Sequence, residues 1–276
     1  MSYKTILVHV DHSPHCEGRM RAAASIALEH QGHLIGAAMS GMARVVYEDG
    51  SADLGLALIA AQMGALRARA ETALANFAAI ATSMGVSSFE PRMVDDDPEG
   101  GLALQARYAD LVVVSQPDPE DVCSRLAPGL PSNVMLASGR PLLVVPHSGS
   151  FSHIGRRVLL AWDGNLEATR AVACALPLLR RAGAVSVAIF NPGVMHGAQP
   201  GADIALYLAR HGVKVDVNVH QCDIEVGEAL LSLAADQQSD LIVMGGYGHT
   251  RFRELMLGGV TRTVLRSMTA PVLMAH

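Results

Sequence analysis

The sequence predicts an α/β protein built from two tandem domains, each a five-stranded parallel sheet with helices on both faces. Three observations predict it. Short apolar runs rich in β-branched residues alternate with longer stretches of helical pattern, as in buried parallel strands joined by helical crossovers. Half of the 276 residues are apolar while only 4% are aromatic, so the cores must be aliphatic and alanine-rich. The chain also repeats itself: Asp110-Leu111-Val112-Val113-Val114 matches Asp240-Leu241-Ile242-Val243-Met244. At the same offset, Arg140-Pro141-Leu142-Leu143-Val144 matches Ala270-Pro271-Val272-Leu273-Met274.

In the first half, Lys4–Val10 reads as a buried strand that Asp11 ends. Ser13-Pro14 starts a helix, because serine caps and proline suits the first turn, and Glu17–His30 continues it. His33–Met39 is a second strand. Leu54–Met84 carries a helical pattern with a possible break at Gly64. Ser87–Val94 is a third strand, Asp95-Asp96-Asp97-Pro98-Glu99-Gly100 an acidic turn, and Leu102–Tyr108 a helix. Leu111–Ser115 and Pro141–Val145 are the fourth and fifth strands. Pro146–Gly155 is a linker by composition. The expected domains are therefore 1–148 and 155–276.

The unit then restarts. Arg157–Trp162 is a strand that Asp163 ends, Leu166–Arg181 a helix, and Ala184–Phe190 a strand. Ile204–His211 is helical and Val213–His220 alternates as a strand. Val226–Gln237 is a helix and Leu241–Met244 a strand. A glycine loop follows, then a helix over Val260–Ser267. Pro271 disfavours helical geometry in the residue before it, and Val272–Ala275 is the last strand.

The glycine loop carries the chemistry. Its spacing is Gly245-x2-Gly248-x9-Gly258-Gly259, between a strand and a helix. Glycines there let a ligand approach bare backbone, and the helix N-terminus adds unpaired N–H donors and a positive dipole end. In this spacing and context the stretch resembles the universal stress protein family, whose ATP-binding members carry G-x2-G-x9-G-(S/T). One position departs, since Gly259 stands where the family has Ser or Thr. Thr261 could substitute for that hydroxyl only if the loop is reshaped. The resemblance covers nearly all of both halves and implies two Rossmann-like (adenine nucleotide alpha hydrolase-like) domains with strand order 3-2-1-4-5. It implies ATP in the C-terminal domain, with Asp163 at the adenosine and Gly245, Gly248, Gly258, Gly259 and Val260 at the phosphates. Met244 and His249 complete the candidate set. By the same resemblance, Pro141–Val145 and Pro271–Ala275 would pair within the chain as a pseudo-dimer, and a homodimer is possible.

The halves are not equivalent. Ser115, Asp118 and Pro128 stand where the second half has Gly245, Gly248 and Gly258. An acidic, proline-stiffened loop offers few donors and repels phosphate, so no nucleotide is expected in the first half.

Each candidate has a plainer reading. Asp163 could cap the following helix, and capping is the favoured reading for its counterpart Asp11. Arg251, Arg253 and Arg262 could neutralise phosphate or form a solvated face. His12, His15 and Cys16 could ligate zinc, but the spacing strains convergence, and His220, Cys222 and Asp223 call for the same caution. The Asp95–Asp97 run reads as a solvated turn. No metal is assigned.

A formal net charge of −5 without a Lys/Arg run argues against nucleic acid. No apolar stretch is long enough to span a membrane, the N-terminus does not read as a signal peptide, and the four cysteines form no C-x2-C pair. These features predict a cytoplasmic protein. No Walker-type loop, nucleophile elbow or H-E-x-x-H helix is present, so an enzyme is not expected. The expectation is a stress-response regulator that binds an adenine nucleotide. The alternatives are an interaction module that binds no nucleotide and a nucleotide-processing enzyme on the same fold.

Overall fold

The computed structural model describes residues 2–41, 54–121, 124–125, 127–193, 199–248 and 259–276. The chain forms two compact units, Tyr3–Arg140 and Pro141–His276, the latter with the N-terminal residues. The first unit runs β1 (Thr5–Val10), α1 (Cys16–His30), β2 (His33–Met39), α2 (Leu54–Ser83), β3 (Phe89–Val94), α3 (Pro98–Ala106), β4 (Leu111–Ser115) and α4 (Leu130–Ser138). The second runs β5 (Leu142–Val145), β6 (Arg157–Ala161), α5 (Leu166–Leu179), β7 (Ala184–Phe190), α6 (Ala202–Arg210), β8 (Asp216–His220), α7 (Val226–Asp236), β9 (Leu241–Gly245), α8 (Gly259–Ser267) and β10 (Val272–Ala275).

In the first unit the strand order is β3-β2-β1-β4, all parallel. In the second, β8-β7-β6-β9-β10 is parallel and reproduces the order 3-2-1-4-5. β5 joins the outer edge of β10 antiparallel, with Val272 opposite Val144 and Met274 opposite Leu142. The two proline-led strands therefore pair, as the resemblance implied. By contacts β5, the fifth strand of the first half, groups with the second unit, where it pairs with β10.

The repeated Asp has a structural cause. Asp240 accepts the backbone N–H groups of Gly155, Arg156 and Arg157 at 2.9–3.0 Å and so fixes the start of β6. Asp110 does the same for β1 through Lys4 and Thr5. These N–H groups precede or open their strands and have no complete ladder of their own, so a carboxylate supplies the acceptor. The strands that follow are almost wholly buried, with Leu111–Val114 and Leu241–Val243 at 0% exposure.

Several boundaries moved for identifiable reasons. α2 is continuous through Gly64, because one glycine costs a helix of Ala and Leu only about 1 kcal/mol. α3 begins at Pro98, since Asp97 caps it by accepting from the N–H groups of Glu99 and Gly100. That places one residue of the acidic run in a helix cap. α4 was not expected, yet its residues correspond in sequence to those of α8 at the offset of the repeat. β8 starts at Asp216 rather than Val213 because Val213 belongs to the end of α6. Its N–H bonds the Leu208 carbonyl, Gly212 beside it adopts φ 80°, and its side chain is buried. This is the paired-bond helix stop with an apolar residue after the left-handed glycine.

Candidate functional site

In an open parallel sheet the ligand crevice lies beyond the carboxyl ends of the strands, where the order reverses. In the second unit that place is the end of β6 and β9. β6 delivers Asp163 after Trp162. Both carboxylate oxygens of Asp163 accept from Asn165, one from its backbone N–H and one from its side-chain Nδ2, each at 3.0 Å. Asn165 is the N-cap residue of α5. Asp163 is exposed, so its outer lone pairs face solvent while Asn165 orients the group.

β9 ends in Met244, which is buried, and Gly245. A Cβ on Gly245 would lie 2.6 Å from the Ala168 backbone nitrogen and 2.8 Å from the Glu167 carbonyl carbon. Gly245 is therefore a packing residue as well as a motif residue: its missing side chain lets α5 press against the strand end. Gly246 then donates to the Ala275 carbonyl, and His276 Nδ1 bonds the Gly246 carbonyl at 3.0 Å. The loop turns at Tyr247, which has φ 58°, and not at a glycine. The Tyr247 N–H donates to Thr261 Oγ1 at 3.2 Å. Thr261 is 3% exposed, so its hydroxyl braces the loop from inside and does not stand in for the one missing at Gly259.

Gly248 lies beside Asn165 and Glu167. A Cβ there would stand 3.2 Å from Glu167 Oε2 and 4.0 Å from Asn165 Nδ2. Asn165 thus links the strand-end aspartate to the glycine loop. Gly259 and Val260 open α8, and a Cβ on Gly259 would meet Glu225 Oε1 at 3.8 Å. The structure brings Asp163, Gly245 and Gly248 together around the start of α5. His249, Gly258, Arg251 and Arg253 lie outside the described residues; Arg262 is exposed on α8.

The first unit fills the same place with its own side chains. Arg19 stands at the position of Ala171, counted from the strand-ending aspartates Asp11 and Asp163. It is 2% exposed. Its Nε donates to the His9 carbonyl, Nη1 to Ser115 Oγ and Nη2 to Asp11 Oδ1, at 2.7–2.8 Å. Asp11 Oδ1 also accepts from the Ser13 N–H and hydroxyl; this fixes the turn before α1 and is not the helix capping expected of Asp11, since the N-cap residue is His15 and no side chain caps it. Burial alone would raise the Asp11 carboxyl. The Arg19 guanidinium, with His9 and the Ser13 bonds, outweighs that and holds it well below the usual carboxylate range. Burial pushes His9 down to about 4, Arg19 reinforcing and Asp11 opposing. Burial likewise pushes the Cys16 thiol up.

The zinc candidates of this unit find separate partners. His12 bonds the Arg69 carbonyl, His15 Nε2 bonds Asp118 Oδ2 at 2.8 Å, and Cys16 Sγ accepts from the Asp11 N–H. In the second unit Cys222 is taken up by Asn191, whose amide oxygen accepts the Cys222 N–H and whose Nδ2 reaches both its carbonyl and its sulfur.

Sequence reasoning missed Arg19, Glu167 and Glu225. Arg19 left a signal, since it shares a helical stripe with the buried Ala22, Ala23 and Ile26, and an arginine on such a stripe must be paired. Glu167 and Glu225 left none, because only the fold places them against glycines distant in sequence.

Residues 155–276 match the model of the Universal stress protein family. A universal stress protein of Synechocystis sp. is 38% identical over 66 residues, which is 24% of this chain and 22% of that protein. A universal stress protein of Methanocaldococcus jannaschii is 39% identical over 46 residues, 17% of this chain and 28% of that protein. The matches thus span about a quarter of these curated relatives' length. In fold, the chain is similar to the crystal structure of a universal stress protein from Archaeoglobus fulgidus. That likeness has a TM-score of 0.73 at 17% identity and covers 98% of this chain and 94% of the other.

Proposed function

We propose that this chain, which belongs to the universal stress protein family through residues 155–276, binds an adenine nucleotide in its second unit as a regulatory ligand. One observation carries the reading. Asp163, at the end of β6, and Gly248, in the loop after β9, meet across Asn165, where a doubly wound sheet holds its ligand. Asp163 would take the adenosine. The backbone of Gly248 and the first turn of α8 would take the phosphates, with the helix dipole in support. ATP is the nucleotide that the family's glycine spacing implies.

The ligand would act by binding one arrangement of the protein better than another and so shifting its population. The chain would be a sensor and not an enzyme, working in the cytoplasm under stress. Among the described residues, no helix is long and apolar enough to cross a membrane. The first unit would bind no nucleotide, because Arg19 occupies its crevice.

A second reading, an interaction module without nucleotide, draws on Gly259, which lacks the family's hydroxyl. Calorimetric titration of ligand-stripped protein with ATP, ADP and AMP separates the two. The Gly248→Asp variant runs alongside, because it copies Asp118 and would set a carboxylate against Glu167. One saturable site per chain, lost in a variant that still melts cooperatively, supports the sensor. No heat and no shift in melting temperature with any nucleotide leaves the interaction module.

A further inference from the structure

The described faces of the phosphate loop are not electrically neutral. Glu167 Oε2 lies 3.2 Å from where a Gly248 side chain would begin, and Glu225 Oε1 lies 3.8 Å from the same point on Gly259. In the first unit the corresponding corner is a hydrogen-bonded pair. There Asp118 takes the position of Gly248, His15 takes the position of Glu167, and the two are 2.8 Å apart. The second unit exchanges imidazole for carboxylate on the helix and carboxylate for bare backbone on the loop. Among the described residues no cation pairs with Glu167.

Resting on the nucleotide reading above, we propose that Glu167 sets the charge of the accepted ligand. Without a divalent cation, the site takes adenine nucleotides in the order AMP, ADP, ATP. A phosphate held by the Gly248 N–H lies within a few ångströms of the Glu167 carboxylate. Each further phosphate adds negative charge beside a fixed negative group and so adds repulsion. A divalent cation on the polyphosphate removes most of that charge and with it most of the discrimination. The motif glycines provide donors for any phosphate, whereas Glu167 discriminates by charge. Specificity of this kind arises by placing a repulsive group against the wrong ligand.

The test is calorimetric titration of the full chain with AMP, ADP and ATP, in EDTA and in excess magnesium. Native protein, Glu167→Gln and the control Asp216→Asn are compared, with thermal melting to confirm folding. In EDTA the native protein and the control should bind AMP about tenfold more tightly than ATP, a difference near 1.4 kcal/mol. Magnesium should close most of that gap, and Glu167→Gln should close it without magnesium. ATP bound as tightly as AMP by native protein in EDTA overturns the proposal and leaves nucleotide binding standing. An order unchanged in Glu167→Gln overturns the role of this residue. No binding of any nucleotide by native protein or variant overturns the nucleotide reading and this proposal together.

Discussion

Replacing Arg19 by alanine removes a guanidinium that three acceptors share: the His9 carbonyl, the Ser115 hydroxyl and the Asp11 carboxylate. Breaking a buried ion pair from one side costs about 3–5 kcal/mol, because the other charge is stranded. Here the stranded group is Asp11, whose side chain is 22% exposed. Water reaches some of it, so the lower end applies, about 3 kcal/mol. For a unit of this size that lowers the melting temperature by roughly 10 °C. Urea unfolding and calorimetry of the full chain measure it. Two units can unfold in separate steps, so the quantity is read from the transition that the substitution moves. A companion variant combines Arg19→Met with Asp11→Asn. It removes both charges, keeps most of the volume and should recover to within about 1 kcal/mol of the native protein, as replaced buried pairs often do. A loss below about 1 kcal/mol in Arg19→Ala would refute the claim that this pair secures the crevice. An equal loss in the single and double variants would show that the lost guanidinium hydrogen bonds, and not the stranded charge, carry the effect.

Stability should also depend on pH through His9. Its folded value of about 4 lies below the ordinary 6.5, so the unfolded chain binds more protons between those values. Stability therefore falls as pH drops from 6.5 to 4, by about 3 kcal/mol in all, and His9→Asn should abolish that slope in urea titrations. Asp11, held low in the folded state, withdraws its own contribution only as pH falls below about 4. Gly245→Ala should destabilise the second unit by about 1–3 kcal/mol even in the absence of nucleotide, because the new Cβ meets the backbone of α5. Unchanged urea unfolding of that variant would show that the helix start gives way freely.

The sheet was largely legible in the sequence, and for a physical reason. Parallel strands buried on both faces leave unbroken apolar runs, and β2, β4, β7 and β10 occupy the residues that such runs mark. The repeat added the pairing of Asp110 with Asp240, and the structure supplies its cause in the strand-opening N–H groups. The repeat also held a signal for α4, because Leu130–Ser138 stands at its offset from the helix expected over Val260–Ser267. Val213 misled for a local reason. An apolar residue after a helix-ending glycine looks like the first residue of a strand, and only the hydrogen bonds separate the two.

The site was legible in its scaffold and less so in its chemistry. The glycine spacing and the family resemblance picked out Asp163 and the glycines as candidates, and the fold brings Asp163, Gly245 and Gly248 to the adjoining ends of β6 and β9. Spacing could not tell that Gly245 clears the path of α5, that Tyr247 and not a glycine takes the left-handed turn, or that Thr261 faces inward. Those facts depend on elements more than ten residues apart in sequence, and no local pattern encodes them.

The strand β5 gives the chain two different seams. By sequence the halves divide at the Gly/Pro/Ser-rich stretch after Val145, so the first copy of the repeat ends with its fifth strand. By contacts they divide before Pro141, because Leu142, Leu143 and Val144 lie against Met274, Leu273 and Val272. Sequence repeat and contact grouping are therefore out of phase by one strand. A recombination event at the compositional seam would separate a pair of strands that must fit each other, whereas a crossover at Arg140 would carry the pair intact.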